Sequence, residues 1–226
     1  MKARSKRYRA AKEKKGKSPP VALDKAVVLL KQLKPAKFDE TVEVAACLGI
    51  DPKKSDQQLR GSFALPHGIG KEKRVIVFAE GAQADEAKTA GAIEVGGQDL
   101  CKKIEGGWLD FDVAICVPEM MRHVGKLGRI LGPQGKMPSP KSGTVTTQVA
   151  SVVGEFRAGK IEYRTDAGGI VHAPMGKRSF PDESLKANIG AFISHISSQK
   201  PASSKGVFLK RVFISTTMGP SIQVTM

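Results

Sequence analysis

The chain has 226 residues, 40% of them hydrophobic, which supports one large or two modest packed domains and excludes wholesale disorder. Its formal net charge of +15 favours a polyanionic partner, because each Lys or Arg that neutralises a phosphate releases condensed counterions. No apolar run approaches the roughly 18 residues that a membrane span needs, and the basic N-terminus lacks the apolar stretch of a secretory signal, so a soluble cytoplasmic protein without membrane attachment is expected.

Residues 2–17 come first, with Arg4, Arg7, Arg9, Lys12 and other cations set against a single acid, Glu13. Self-repulsion predicts an arm that is mobile or frayed when alone, used for phosphate contacts or simply for solubility. After Ser18-Pro19-Pro20, apolar residues at Val21, Ala22, Ala26, Leu29, Leu30 and Leu33 predict an amphipathic helix over 21–34, ended by Pro35. Strict alternation from Thr41 to Ile50 predicts a strand, Asp51-Pro52 a polar turn, and residues 62–66 a second strand.

Strands and helices then alternate. Strands are expected over 74–79, 92–95 and 112–117, and helices over 82–90 and 98–104. A helical stretch through Met120, Met121, Val124 and Leu127 follows, and a last helix is expected from Thr144 to Phe156. Repeated β-α units argue for a small parallel three-layer domain. Beyond it, strand 160–164, a turn at Ala167-Gly168-Gly169 and strand 170–173 read as a hairpin. A helix started by Ser179-Phe180-Pro181-Asp182 and running through Ile196, strand 207–215 and a short final strand complete an α+β pattern.

Charge follows the same division. Residues 1–70 carry a net +9, residues 71–159 only +1, and residues 160–226 +5. Either the two basic ends close into one domain with the neutral middle inserted, or the chain is three consecutive modules, or one fold has a basic face.

Enzymatic signatures fail. A phosphate-binding P-loop needs Gly-x4-Gly-Lys-Ser/Thr, yet Gly70-Lys71 is followed by Glu72, Gly135-Lys136 by Met137, and Gly176-Lys177 by Arg178. No Gly-x-Gly-x-x-Gly follows a strand, and no Gly-x-Ser-x-Gly elbow occurs. Cys47, Cys101 and Cys116 lack metal or redox spacing and sit among apolar neighbours, so buried free thiols are expected. The four histidines are scattered. Neither metal nor cofactor is expected.

Four segments carry a family pattern. They are Lys37-Phe38-Asp39-Glu40-Thr41-Val42-Glu43; Tyr163-Arg164-Thr165-Asp166 continuing through Gly168-Gly169-Ile170-Val171-His172-Ala173-Pro174 to Gly176-Lys177, Ser179-Phe180 and Asn188; Ser215-Thr216-Thr217-Met218-Gly219-Pro220; and the glycine- and proline-rich stretch Gly128 to Lys141. In order and spacing, over nearly the whole chain, they resemble the bacterial large-subunit ribosomal protein one family, the protein of the mobile side stalk. The resemblance implies two domains: an RNA-binding α+β domain made discontinuously from 1–67 with 160–226, and an inserted three-layer α/β domain over 68–159. It further implies a protein, monomeric off the ribosome, that binds stalk helices of large-subunit rRNA. Such a protein assists release of deacylated tRNA from the exit site and represses translation by binding its own mRNA leader.

The resemblance assigns RNA contacts to Lys37, Phe38, Thr41, Arg164, Asp166, Gly168, His172, Ser215, Thr217, Met218 and Gly219. Their chemistry suits the task. A threonine hydroxyl can exchange hydrogen bonds with a ribose 2′-OH, a glycine lets backbone approach closely, Met218 and Phe38 offer packing faces, and Lys37 and Arg164 suit phosphates. Plain alternatives exist: Phe38 as core, Asp166 as a turn cap rather than an acceptor for a ribose hydroxyl or guanine edge, and Met218-Gly219-Pro220 as an ordinary turn. The chain departs from the family pattern at Arg211, Thr165 and Ala167, and in the middle loop at Gln134, Lys136 and Ser139.

Overall fold

A computed structural model describes residues 5–16 and 19–225. In chain order the helices are α1 (Lys6–Lys15), α2 (Leu23–Gln32), α3 (Ala82–Thr89), α4 (Gln98–Glu105), α5 (Met121–Val124), α6 (Gly128–Leu131), α7 (Val149–Ala158) and α8 (Asp182–Ser198). The strands are β1 (Thr41–Leu48), β2 (Arg60–Ala64), β3 (Val75–Phe78), β4 (Glu94–Gly96), β5 (Val113–Cys116), β6 (Lys160–Arg164), β7 (Ile170–Lys177), β8 (Leu209–Thr216) and β9 (Ile222–Val224). The chain divides into two compact units, one of residues 1–70 with 161–226 and one of residues 71–160.

The first unit is built on a four-stranded antiparallel sheet in the order β7-β1-β8-β9. The N-terminal strand β1 thus lies between two strands from the other end of the chain. Val42, Val44 and Ala46 of β1 turn to one face with Val171, Ala173 and Met175 of β7 and Val212 and Ile214 of β8, all buried. α2 and α8 cover that face with Leu30, Leu185, Ile189, Phe192 and Ile196. The buried Asn188 side chain donates to Gly68 O and Met175 O and accepts from His67 N, which satisfies backbone where the chain leaves this unit. The strands β2 and β6 form a separate two-stranded ribbon.

The second unit is a parallel three-stranded sheet in the order β4-β3-β5. Ile76 and Phe78 face one core with Leu100, Ile104, Leu127 and Leu131, while Val75 and Val77 face another with Val149, Val153 and Phe156. Two cores on opposite faces of one sheet make three layers. The expected mixture of an α+β body from both chain ends and a parallel α/β middle is what the two sheets show.

Several local expectations need correction. Residues 6–15 form a helix, capped by the Ser5 side chain, which accepts from Tyr8 N. It is docked through buried Ala11, Arg7 on Glu40 and Lys14 on Gln32 O, so contacts offset the self-repulsion; the rest of the expected arm lies outside the described residues apart from Ser5 and Gly16. Val21 is not helical but bridges Val224 beside β9. The expected helix from Thr144 begins only at Val149, because the β-branched run Thr144-Val145-Thr146 adds a short parallel edge to β5, with Cys116 N donating to Thr144 O and Thr146 N to Cys116 O. The predicted hairpin at 160–173 is a single bridge, Thr165 to Val171, after which β6 pairs with β2 and β7 with β1. Cys101 and Cys116 are buried as expected, but Cys47 is only half-buried, on the uncovered face of β1.

Candidate nucleic-acid interface

Among the described residues no helix buries the second face of the four-stranded sheet, and its side chains remain partly exposed. Cross-strand register sets them in rows. Pro174, Glu43 and Ser215 form one row, His172, Ala45, Phe213 and Gln223 the next, and Ile170, Cys47 and Arg211 the third. Beyond the first row, at the start of β1, Thr41 pairs with Lys177.

At that end the structure gathers most of the nominated residues around one carboxylate. Glu40 is 1% exposed. It accepts from Ala36 N, from Arg7 Nη1 at 3.1 Å and from Met218 N at 3.4 Å. Burial alone would raise its pKa, but hydrogen bonds from the Thr216 hydroxyl, the Ala36 and Met218 N–H groups and the Arg7 guanidinium outweigh it and hold the carboxyl below the usual glutamate range. Arg7 also donates to Met218 O, clasping the 216–219 turn from the other side.

The Thr217 turn is laced to Thr41 by three bonds. Thr217 N donates to Thr41 O at 3.0 Å, Thr41 N donates to Thr217 Oγ1 at 3.0 Å, and the Thr217 hydroxyl donates to Thr41 O at 3.3 Å. The hydroxyl proton is thereby committed inside the protein. One lone pair remains, so Thr217 can accept from a ribose hydroxyl but not donate to it. Gly219 serves the turn first: a Cβ there would drive into Thr216 Oγ1. Lys177 Nζ donates to Thr41 Oγ1 at 3.1 Å, which places a cation beside the turn.

Phe38 is 54% exposed and Met218 52%, among the most exposed large apolar side chains in the described residues. Neither is core. Phe38 is nonetheless held firmly, because its two successors are pinned. The Asp39 carboxylate accepts from Ser179 N and Oγ, and Arg178 N donates to Glu40 O while its guanidinium reaches Lys31 O and Leu33 O. Lys37 beside it is exposed.

The remaining nominees lie elsewhere. Arg164 ends β6, and Asp166 and Gly168 occupy the turn that follows at the far end of the sheet, where Leu48 N donates to Gly169 O. From Thr41 to Cys47 is six steps of strand, roughly 20 Å. Asp166 Oδ1 accepts from Gly168 N and Ile170 N, both at 2.8 Å, so this carboxylate caps the turn. The Ile170 bond chiefly, with Gly168 and the facing His172, holds its pKa below the ordinary value against the opposing cost of desolvation. His172 and Ser215 stand between the two clusters, on the open face. The nominated residues therefore form a strip along one sheet, not one pocket.

Sequence reading missed Glu40, Arg7, Lys177 and Phe213. Glu40 and Lys177 stood inside the quoted motifs but carried no sign that one would be buried and the other aimed at Thr41. Phe213 could have been found from the alternation of 209–216, which puts it opposite Val212 and Ile214 on the exposed face. Nothing in the sequence signals the contact of Arg7, which crosses 33 residues to Glu40 and 211 to Met218.

Among the described residues no group of His, Cys, Asp or Glu could hold a metal ion, and no helix is long and apolar enough to cross a membrane. The profile of the ribosomal protein L1p/L10e family matches residues 30–220. The large ribosomal subunit protein uL1 of Kosmotoga olearia is 50% identical over 224 residues, covering 99% of this chain and 97% of its own length. The protein of the same name from Thermus thermophilus is 50% identical over 225 residues, covering 99% and 98%.

Proposed function

Because the chain belongs to the ribosomal protein L1p/L10e family, whose members are ribosomal proteins and not enzymes, we propose that it is a large-subunit protein that grips the rRNA helices of the mobile side stalk. The grip belongs to the discontinuous domain of residues 1–67 with 160–226, and residues 68–159 are an inserted domain. On this reading the protein moves with the stalk, helps deacylated tRNA leave the exit site, and represses its own translation by binding a similar structure in its mRNA leader. It works as a monomer off the ribosome and needs no cofactor.

The observation that supports this most is the Glu40 assembly, which ties down the polar threonine turn and leaves the thioether of Met218 in that turn and the ring of Phe38 exposed to solvent. Large apolar groups held rigid and exposed are costly unless something covers them. Nucleotide bases and sugars have flat faces that suit both, and Lys37 and Lys177 stand close enough to meet phosphates.

The test is binding of a side-stalk rRNA fragment by full-length Phe38→Ala and Met218→Ala proteins. Loss of base packing is worth about 1–3 kcal/mol per contact, so each variant should bind roughly 5- to 150-fold more weakly, with unchanged thermal denaturation because both side chains are mostly exposed. The rRNA fragment, not duplex DNA at matched salt, should compete. Full affinity in the double variant would end this reading. Competition between the rRNA fragment and the mRNA leader for one site tests the repressor role.

A further inference from the structure

The chain carries three cysteines and seven methionines, and the fold hides most of their sulfur. In the middle unit Cys101, Cys116 and Met120 are buried in one core, with Met121 and Met137 packed half-buried against it. Burial chiefly, with the negative charge of Glu105, pushes the Cys101 thiol up. Burial, with Cys101 as a lesser contributor, pushes the Cys116 thiol up to about 12, and its Sγ donates to Val117 O at 3.1 Å. Thiolate is the reactive form of cysteine, so both thiols are shielded by burial and by protonation. In the first unit Met175 is buried and Cys47 half-buried. Met1 and Met226 lie outside the described residues.

Met218 is the exception. Among the described residues it is the one sulfur-bearing side chain that is exposed. Its main chain is fixed on both sides, because Met218 N donates to Glu40 Oε2 at 3.4 Å and Met218 O accepts from Arg7 Nη2 at 3.2 Å. The following residue is fixed too, with Gly219 N donating to Thr216 O at 3.0 Å. The turn cannot carry this side chain inward without breaking a bond to a buried carboxylate. A thioether needs no deprotonation to react, so access decides which methionine an oxidant meets first.

The exposed sulfur sits where its oxidation state matters. As a thioether, Met218 is a soft apolar group that packs against a base or sugar face. As a sulfoxide it is polar and carries an acceptor oxygen. Phosphate oxygens are acceptors as well, so the added oxygen gains nothing from them. The hydroxyl proton of neighbouring Thr217 is already given to Thr41 O. The fold has little at stake, because no core residue leans on a side chain this exposed. Oxidation therefore acts on binding and spares stability.

We propose that the Met218 thioether is a reversible oxidation site through which peroxide weakens the RNA grip of the unbound protein. The sulfur attacks one peroxide oxygen, the S–O bond forms as the O–O bond breaks, and the proton of the transferred oxygen leaves with the other to give water. Sulfur loses two electrons and the peroxide gains them. A dithiol-dependent sulfoxide reductase reverses the step, taking the oxygen off as water while the dithiol becomes a disulfide. Bound RNA covers the thioether, so only molecules free of RNA are open to attack. The proposal rests on the rRNA-binding reading above and adds a means of regulating the same site.

The test treats the full chain with hydrogen peroxide, maps the oxidised residues by peptide mass spectrometry, and measures affinity for a side-stalk rRNA fragment before and after. Met218 should oxidise well ahead of Met120, Met121, Met137 and Met175. The oxidised protein should bind at least about fivefold more weakly, the lower end of the loss of one packing contact, with unchanged thermal denaturation. A methionine sulfoxide reductase supplied with a dithiol should restore the affinity, and treatment with the rRNA fragment already bound should spare Met218. Met218→Leu has no sulfur to oxidise, so whatever its starting affinity, treatment should leave that affinity as it was. If Met218→Leu weakens on treatment as much as wild type, the lesion lies elsewhere, Cys47 included, and the proposal is overturned. Full oxidation of Met218 with undiminished affinity overturns it equally. Preference of the untreated protein for the stalk fragment over unrelated RNA is measured first; if it is absent, the rRNA-binding reading falls before any oxidant is added.

Discussion

Replacing Glu40 by glutamine tests whether one buried carboxylate organises the Thr217 turn. The shape is preserved, but one acceptor oxygen becomes an NH2 group facing donors. Glu40 receives bonds from Arg7, Ala36 N, Met218 N and the Thr216 hydroxyl, at 1% exposure. At least one of these must be lost, and the rest lose their charge assistance. Bonds to charged groups are worth about 1.5–3 kcal/mol and neutral ones about 0.5–1.5, so Glu40→Gln should cost about 2–4 kcal/mol. Taking about 4 °C per kcal/mol, the melting temperature of that unit should fall by roughly 8–16 °C. The pH dependence gives an independent check. The folded pKa of Glu40 lies below the unfolded one, so its stabilisation is complete above about pH 4.3 and is lost as pH falls through the folded value. Urea denaturation at pH 7 and pH 3 should show the gap between wild type and variant narrowing at the lower pH, where other carboxylates affect both proteins equally. A gap under about 0.5 kcal/mol at pH 7 would refute the organising role, as would a gap that persists undiminished in acid.

Thr217→Val removes a hydroxyl bonded to Thr41 N and O, but the site is exposed and water can replace it, so stability should change by no more than about 1 kcal/mol. RNA affinity should fall by about 1–3 kcal/mol; an unchanged dissociation constant removes this residue from the contact. At the far turn, Asp166→Ala loses bonds to Gly168 N and Ile170 N and should cost about 1–2 kcal/mol, while Asp166→Asn keeps the acceptor and should cost less than about half of that. If both variants bind RNA equally poorly with the fold intact, Asp166 touches RNA and is more than a cap. His195 stacks on Phe63 at 4.5 Å and lies 2.9 Å from the Tyr163 hydroxyl, and burial pushes its pKa below the usual value. The unfolded chain therefore binds the proton more readily, so stability should be full above about pH 6.5 and decline as pH drops toward the folded value. His195→Gln should flatten thermal stability between pH 7 and 5; an identical slope in both proteins would exonerate the histidine.

Elements whose burial is periodic were legible from sequence. The alternation of β1 and the helical spacing of α8 are local signals, and both appear within a residue or two of expectation. Errors fell where tertiary contacts overrule local preference. Thr144-Val145-Thr146 looked like the start of a helix because Val145, Val149 and Val152 share its spacing, yet the free edge of β5 claims it as strand. The 160–173 stretch looked like a hairpin because a glycine turn joins two short strands, but β1 and β2 are better partners for them. The basic N-terminal segment looked unpartnered because Glu40, its anchor, sits amid a motif whose acid gave no sign of burial.

The candidate site was half legible for a related reason. Side-chain chemistry can be read from residue types, so Phe38, Met218 and Thr217 could be nominated for RNA contact, but whether a polar atom is free depends on partners far along the chain. Thr217 is bonded across 176 residues to Thr41, and Met218 N across 178 to Glu40. β1 itself has no sheet neighbour until β7 and β8 exist, since its two partners are both C-terminal to the middle unit. The middle unit, by contrast, is built from β-α units close in sequence. Loop-closure entropy must be met before the distant contacts return anything. A platform assembled this way cannot half-form. With β7 or β8 missing, β1 leaves Val42, Val44 and Ala46 uncovered, Glu40 loses Met218 N and Thr216, and the Thr217 turn has no Thr41 to hold it. The Phe38–Thr217 surface is therefore present only when the chain is complete through residue 219, so a truncated or nascent product should lack this surface even while its middle unit is folded.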